Sequence, residues 1–347
     1  MTQPREVPLT AVPATAQQVR EVPLHWMWTE PAVWSDRMLT ALEQGVKGGK
    51  WFRLIDKVFA ERNLLASYSK VAANKGAAGV DHVTVEEFGN QQEANLAKLS
   101  RELREGCYQP QAIRRRFIPK PGSSELRPLG IPTVRDRVVQ GAVRHVVEPI
   151  FEKEFAPHSY GFRPGRGCKD ALRRVDELLK QGYQHVVDVD LKSYFDSIPH
   201  NRLMSRVGDR IADGRILQLI ESFLKAAIMD GLSEWEPETG APQGAVLSPL
   251  LSNIYLNPLD HLMVSRGYEM VRYADDILYA ARSGTSSNSW KLRVMSDASA
   301  SAWVVLSLLR VSSMASLKAA KLGRYLPYTL SRLRNRHRRS IRFRLGE

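Results

Sequence analysis

Two adjacent carboxylates, Asp275 and Asp276, interrupt a run of residues that is otherwise apolar and aromatic. Met270, Val271 and Tyr273 come before them, and Ile277, Leu278 and Tyr279 follow. Such residues favour strands, so the stretch predicts strand, tight turn, strand, with the acids at or near the turn. Two ionised carboxylates side by side repel each other, and burying the pair is costly unless cations neutralise it. Hard divalent ions with oxygen ligands meet that need, and Mg²⁺ takes one or two carboxylates plus substrate phosphates. A two-metal phosphoryl-transfer site needs another carboxylate from elsewhere in the chain. A solvated Asp-Asp turn is the plain alternative, so the reading depends on what else is present.

A candidate third acid lies in the run His185 to Leu191. Period-two alternation puts Val187, Val189 and Leu191 on one face and Val186, Asp188 and Asp190 on the other. Asp190, at the end of this strand, is placed to share a metal with Asp275, although a strand-terminal Asp can equally cap the next helix. Upstream, residues 114–122 and 127–132 read as a β-hairpin bounded by Pro119, Pro121 and Gly122. It carries Arg114, Arg115, Arg116, Lys120 and Arg127, with Lys120 and Arg127 on opposite arms. Arg can grip two phosphate oxygens and Lys acts as a point charge, so the hairpin suits a triphosphate, or else is a solvated surface.

Three loops add polar groups. Residues 74–81, Gly-rich with Lys75, could approach phosphates or form a structural turn before a capping-like Thr84-Val85-Glu86-Glu87. Residues 159–167 interleave Tyr160 and Phe162 with Arg163 and Arg166, a mixture that suits bases and sugar-phosphate, though the aromatics could also anchor a core. Gln243, between Pro242 and Gly244, offers a planar amide for a sugar or base edge. Helical patterns cover 34–65, where Trp51 and Phe52 read as core, then 133–155, 170–180, 202–207 and 215–226, and one follows Pro249.

The net charge of +13 points to polyanionic partners, but it is unevenly spread. Residues 283–347 hold 13 Lys and Arg against two acids, which leaves the first 282 residues close to neutral. Cys107 and Cys168 form no Cys-x-x-Cys pattern and suggest a reducing compartment. No secretory h-region or membrane-length apolar run is visible, so the chain is expected in the cytoplasm.

Taken together, and in this order, the segments resemble reverse transcriptases of the group II intron-encoded kind that also act as maturases. The resemblance rests on six stretches: Lys75 to Asp81, the hairpin from Ile118 to Pro132, Ser159 to Gly167, Asp190 to Ile198, Pro242 to Leu251, and Tyr273 to Asp276. It implies an α+β right-hand polymerase with fingers and an antiparallel palm sheet. The catalytic and metal-binding carboxylates would be Asp190, Asp275 and Asp276, serving two Mg²⁺. Deoxynucleoside triphosphate would meet Lys120, Arg127, Leu191, Phe195 and Gln243, with Phe195 blocking a ribose 2′-hydroxyl. Lys75, Arg114, Arg115, Arg116, Arg163 and Arg166 would bind RNA, which serves as template or intron. A DNA primer is the other implied partner.

The chain divides on this basis into a flexible leader (1–33), fingers with an N-terminal extension (34–180), a palm (181–282) and a basic Ser/Arg-rich tail (283–347). The resemblance stops after Arg282, with the later palm strand and the thumb missing. A shift of reading frame or a divergent RNA-binding tail accounts for so abrupt a change. The alternative functions are a non-catalytic RNA-binding maturase and an inactive truncated relic. A viral RNA-directed RNA polymerase shares such palm carboxylates but fits Phe195 and the Tyr-Ala-Asp-Asp context less well.

Overall fold

The computed structural model describes residues 24–119, 124, 126–191, 193–282 and 306–313. Its N-terminal part is helical: α1 (Asp36–Gln44), α2 (Ile55–Val58), α3 (Glu61–Asn74), α4 (Val85–Asn90) and α5 (Gln92–Glu105). The hairpin of β1 (Ile113–Pro119) and β2 (Leu126–Ile131) leads into α6 (Val134–Glu152), α7 (Cys168–Lys180) and β3 (Tyr183–Leu191). Next come α8 (Tyr194–Ser197), α9 (His200–Gly208), α10 (Gly214–Lys225), β4 (Ile228–Asp230) and β5 (Ser233–Trp235). The last described elements are α11 (Ser248–Ser265), β6 (Glu269–Tyr273), β7 (Asp276–Arg282) and β8 (Leu306–Ser313). The class is α+β, as the sequence predicts.

The packing centres on α6. Val134, Val138, Val139, Ala142, Val143, Val146 and Val147 are fully buried, and Asp136, Gln140 and Glu148 are buried with them, so the helix is enclosed on every side. Its N-terminus is set by Thr133, whose hydroxyl accepts from the Asp136 amide. α3 crosses it closely: Ser67 Oγ donates to the Val138 carbonyl at 2.7 Å, and a Cβ on Gly141 would stand 2.1 Å from the Ser67 Oγ. The Thr84–Glu87 capping box forms and opens α4.

Two four-stranded sheets hold the functional loops, in the orders β2-β1-β4-β5 and β6-β7-β3-β8. The second sheet is antiparallel throughout and sandwiched between two cores. Val189 and Leu191 of β3, with Ile277 and Tyr279 of β7, join the large core that includes α6 and α11. Val186, Leu278 and Ala280 face the other way, against Ala171, Val175 and Leu178 of α7. The alternation read from β3 is therefore real, and each of its faces has its own partner.

Three expectations change. Trp26 and Val33, inside the expected leader, are buried in the large core. Phe52 is 62% exposed rather than core, and Trp51 forms a β-bridge with Ile211 instead of a helical turn. The sheet does not stop at β7: β8 pairs with β3 from His185↔Ser313 to Leu191↔Leu306 and supplies a further strand. The rest of residues 283–347, with residues 1–23 and Lys120, lies outside the described residues. Among the described residues, no helix is long and apolar enough to cross a membrane.

Candidate active site

Tyr273 pairs with Asp276, so Ala274 and Asp275 form a two-residue connection between β6 and β7. Such hairpins use turns with positive φ, and Ala274 takes φ +60°, a value that costs a residue with a Cβ about 1 kcal/mol or more. Across the sheet, Asp190 is the direct register partner of Asp276. Directly opposed residues in an antiparallel pair have Cα atoms roughly 4.5–5.5 Å apart. Asp190, Asp276 and the turn residue Asp275 are thus gathered at one end of the β3–β7 pair, and both turn carboxylates are half-buried.

An all-oxygen donor set of this kind fits a hard cation such as Mg²⁺. Among the described residues, no three His, Cys, Asp or Glu side chains are grouped as a metal cage, so the fit rests on the backbone register. Cys168, the first residue of α7, neighbours Asp276, and burial, followed by that carboxylate, pushes its thiol pKa up. A neutral thiol therefore sits beside the acid.

The turn is held from beneath by residues that the sequence did not single out. Arg272 and Asp260 are completely buried and paired, Nε to Oδ1 at 2.9 Å and Nη2 to Oδ2 at 2.6 Å. Burial opposes the guanidinium charge, but Asp260 outweighs it and holds the Arg272 pKa above its ordinary value. Arg272 Nη1 donates to Asn253 Oδ1 at 2.8 Å and to the Ala274 carbonyl at 2.9 Å. Asn253 and Asp260 lie seven residues apart on α11, two turns along one face of the helix, and both are buried. That pairing was the available signal.

The loop 159–167 lies against the other side of the turn. Its Tyr160 amide donates to the Arg272 carbonyl and the Arg272 amide donates to the His158 carbonyl, both at 2.9 Å. Gly161 sits against Ala274, and its carbonyl accepts from Asn253 Nδ2 at 2.9 Å. Tyr160 is buried, whereas Phe162 is 44% exposed and meets Phe195 edge-on at 6.4 Å.

Arg163 is a correction. Its guanidinium is buried, with Nε and Nη2 on Glu152 and Nη1 on the Ala156 and Ser159 carbonyls, so it pins the loop and offers RNA nothing. Arg166 is half-buried, donating to the Pro157 carbonyl and lying 5.7 Å over the Tyr160 ring.

From Phe195 the contacts continue to the β1–β2 hairpin. The Phe195 carbonyl accepts from the Ala241 amide at 2.7 Å, and the Gln243 carbonyl accepts from the Gly130 amide of β2 at 2.6 Å. Gly244, at φ +105°, is required there, because a Cβ would stand 2.5 Å from the Gly130 oxygen. Behind this seam lies a cavity of about 320 Å³ lined by Arg115, Asp196, Trp235 and Gln243. Burial raises the Asp196 pKa, and Arg115 only partly offsets it.

The remaining candidates are scattered. Arg115 lies between the rings of Phe117 and Trp235, at 5.1 and 5.4 Å, while Arg116 and Arg127 are exposed and Arg114 is half-buried. Leu191 has its side chain in the core, which leaves only its backbone for a nucleotide. Lys75 is exposed as the left-handed cap of α3. Its loop packs on α6, with a Gly79 Cβ placed 2.6 Å from Thr133 Cα and Arg137 donating to the Ala77 carbonyl at 2.7 Å. Those glycines serve packing.

Comparison with known proteins bears on this arrangement. The family described as reverse transcriptase (RNA-dependent DNA polymerase) matches residues 118–311. Group II intron-encoded protein LtrA of Lactococcus lactis subsp. cremoris is 39% identical over 220 residues, 60% of this chain and 36% of that protein. Protein YkfC of Escherichia coli (strain K12) is 39% identical over 246 residues, 70% of this chain and 60% of that protein. The putative COX1/OXI3 intron 2 protein of Saccharomyces cerevisiae is 33% identical over 208 residues, 59% of this chain and 24% of that protein. The chain thus spans less than two thirds of each of these relatives. The family match crosses Arg282 and reaches into β8, in agreement with the strand pairing.

Proposed function

The chain belongs to the reverse transcriptase (RNA-dependent DNA polymerase) family, and from that premise we propose that it is an RNA-directed DNA polymerase of the group II intron type. The observation that carries the reading is the register of Asp190 against Asp276, with Asp275 at the adjoining turn. In the proposed reaction the primer 3′-hydroxyl attacks the α-phosphorus of a deoxynucleoside triphosphate, a phosphodiester forms, and pyrophosphate leaves. Two Mg²⁺, when bound, supply a lowered hydroxyl pKa and charge neutralisation at the leaving group.

The protein residues have the following proposed roles. Asp190 and Asp275 are direct metal ligands, with Asp276 supporting them. Arg127 and Lys120 hold the triphosphate. Phe195 stands against a ribose 2′-hydroxyl, supported by its place between Phe162 and Ala241. Gln243 and the Leu191 backbone contact the incoming nucleotide. Arg114, Arg115, Arg116, Arg166 and Lys75 contact RNA, while a DNA primer occupies the palm. Residues 34–180 form the fingers and 181–282, completed by β8, the palm. The site of action is the cytoplasm.

Intron RNA binding in aid of splicing is the second part of the proposal, favoured by the likeness to intron-encoded proteins. The test of both is primer extension on an RNA template with Mg²⁺, using an Asp275→Ala, Asp276→Ala control. Extension that the control loses supports the polymerase. A cooperatively melting chain that binds intron RNA and assists splicing, yet does not extend, leaves the maturase role alone. A chain that does not fold is a relic.

A further inference from the structure

Ala274 holds a conformation that its side chain disfavours, and what holds it there is a single buried network. The Arg272 fork joins three groups: Asp260 and Asn253 on α11, and the Ala274 carbonyl in the turn. Asn253 extends the network through its amide to the Gly161 carbonyl on the far side of the turn. The Arg272 backbone is fixed as well, bonded in both directions to the loop at His158 and Tyr160. A buried ion pair is poor evidence of stabilisation in itself, because desolvation cancels much of its attraction. Its use here must be sought in geometry.

We infer that Arg272 is the positioning residue of the carboxylate turn, gripping the Ala274 carbonyl so that Asp275 and Asp276 are held against Asp190, with Asn253 as the brace that aims the grip. Arg272 reaches no substrate and acts only through the turn. The inference rests on the polymerase reading for its purpose, but its metal-binding consequence can be measured without catalysis.

The experiment uses the full chain. Mn²⁺ binding is followed by the paramagnetic resonance of the free ion, and dTTP incorporation is measured on poly(rA)/oligo(dT) across a Mg²⁺ series. Asn253→Ala removes the brace without unpairing the buried charges. It is expected to melt cooperatively, to keep the dTTP KM, and to lose about 10-fold or more in metal affinity and kcat, the usual effect of removing a ligand's supporting partner. Adding Ala274→Gly to that variant is expected to restore most of the loss, because glycine adopts positive φ without steric cost. Arg272→Lys keeps a cation for Asp260 but lacks the fork, and it is the second variant, with the same loss expected.

Unchanged metal affinity in a folded variant overturns the inference. So does a loss that Ala274→Gly leaves untouched, which would mark a packing defect only. A parent chain that binds Mn²⁺ without extending primers refutes the polymerase reading, while the variants still decide the positioning role. A parent chain that binds no Mn²⁺ refutes both.

Discussion

A Cβ placed on Gly161 would stand 2.2 Å from the backbone nitrogen of Ala274. The neighbouring atoms are main chain and cannot rotate away, so Gly161→Ala forces the loop and the carboxylate turn apart. The expected cost is about 1–3 kcal/mol in stability, typical of overpacking. Primer extension is expected to fall further than the melting shift explains, because displacement of about 1 Å at a reacting centre can cost 100-fold. Thermal melting and steady-state extension, compared on one preparation, check this.

Truncating Asp260 has a different signature. Arg272 would remain charged and fully buried with its main partner gone. Asp260→Ala is expected to lose about 3–5 kcal/mol. Urea titration measures it, and a change below about 1 kcal/mol would mean that water enters to solvate the guanidinium.

Acid should weaken the helical part through His145. Burial, followed by the nearby Lys70, lowers its pKa from 6.5 to about 4, and its ring is held between Lys70 Nζ and Asn63 Oδ1 at 2.8 Å each. The folded state keeps this imidazole neutral where the unfolded chain takes up a proton. The contribution is therefore complete above pH 6.5 and is lost as pH falls through about 4, amounting to roughly 3 kcal/mol. Urea midpoints across that range, with His145→Gln as the flatter control, test the slope.

Tyr279 offers a stabilising substitution. Its ring is buried in the large core, and its hydroxyl finds no hydrogen-bond partner among the described residues. Removing an unsatisfied buried hydroxyl recovers its desolvation cost, so Tyr279→Phe is expected to be neutral or to gain about 1 kcal/mol. A loss above about 1 kcal/mol in a melting comparison would point to a bridging water.

The arginines should separate by salt dependence. Exposed Arg116 and Arg127, replaced together by Ala, are expected to reduce the slope of log affinity for RNA against log salt by about 0.7 for each phosphate no longer neutralised. Arg163→Ala is expected to leave that slope alone and to lower the melting temperature, since its guanidinium is buried and bonded to Glu152 and to the Ala156 and Ser159 carbonyls. Filter binding across a salt series distinguishes them.

The strand, turn and strand around Asp275, the hairpin of β1 and β2, the alternation in β3 and the helical spacing along α6 were legible because each depends on local pattern. Arg163 misled because an arginine in a loop looks the same in sequence whether it faces RNA or Glu152. Arg272, Asn253 and Asp260 were missed because their meaning is tertiary. An Arg before Tyr273 looks like a strand residue until α11 brings Asp260 beneath it. β8 was missed for another reason: Leu306 to Ser313 is short, with Ser307, Arg310 and two further serines breaking its apolar pattern, and only its pairing with β3 identifies it as part of the sheet.

That pairing has a consequence for handling the protein. With β8 removed, β3 would become an open edge along its length, its amides and carbonyls free to recruit a strand from another molecule. A chain cut after Arg282 would retain all three candidate acids and still be a poor enzyme preparation, failing through self-association before any question of chemistry arose.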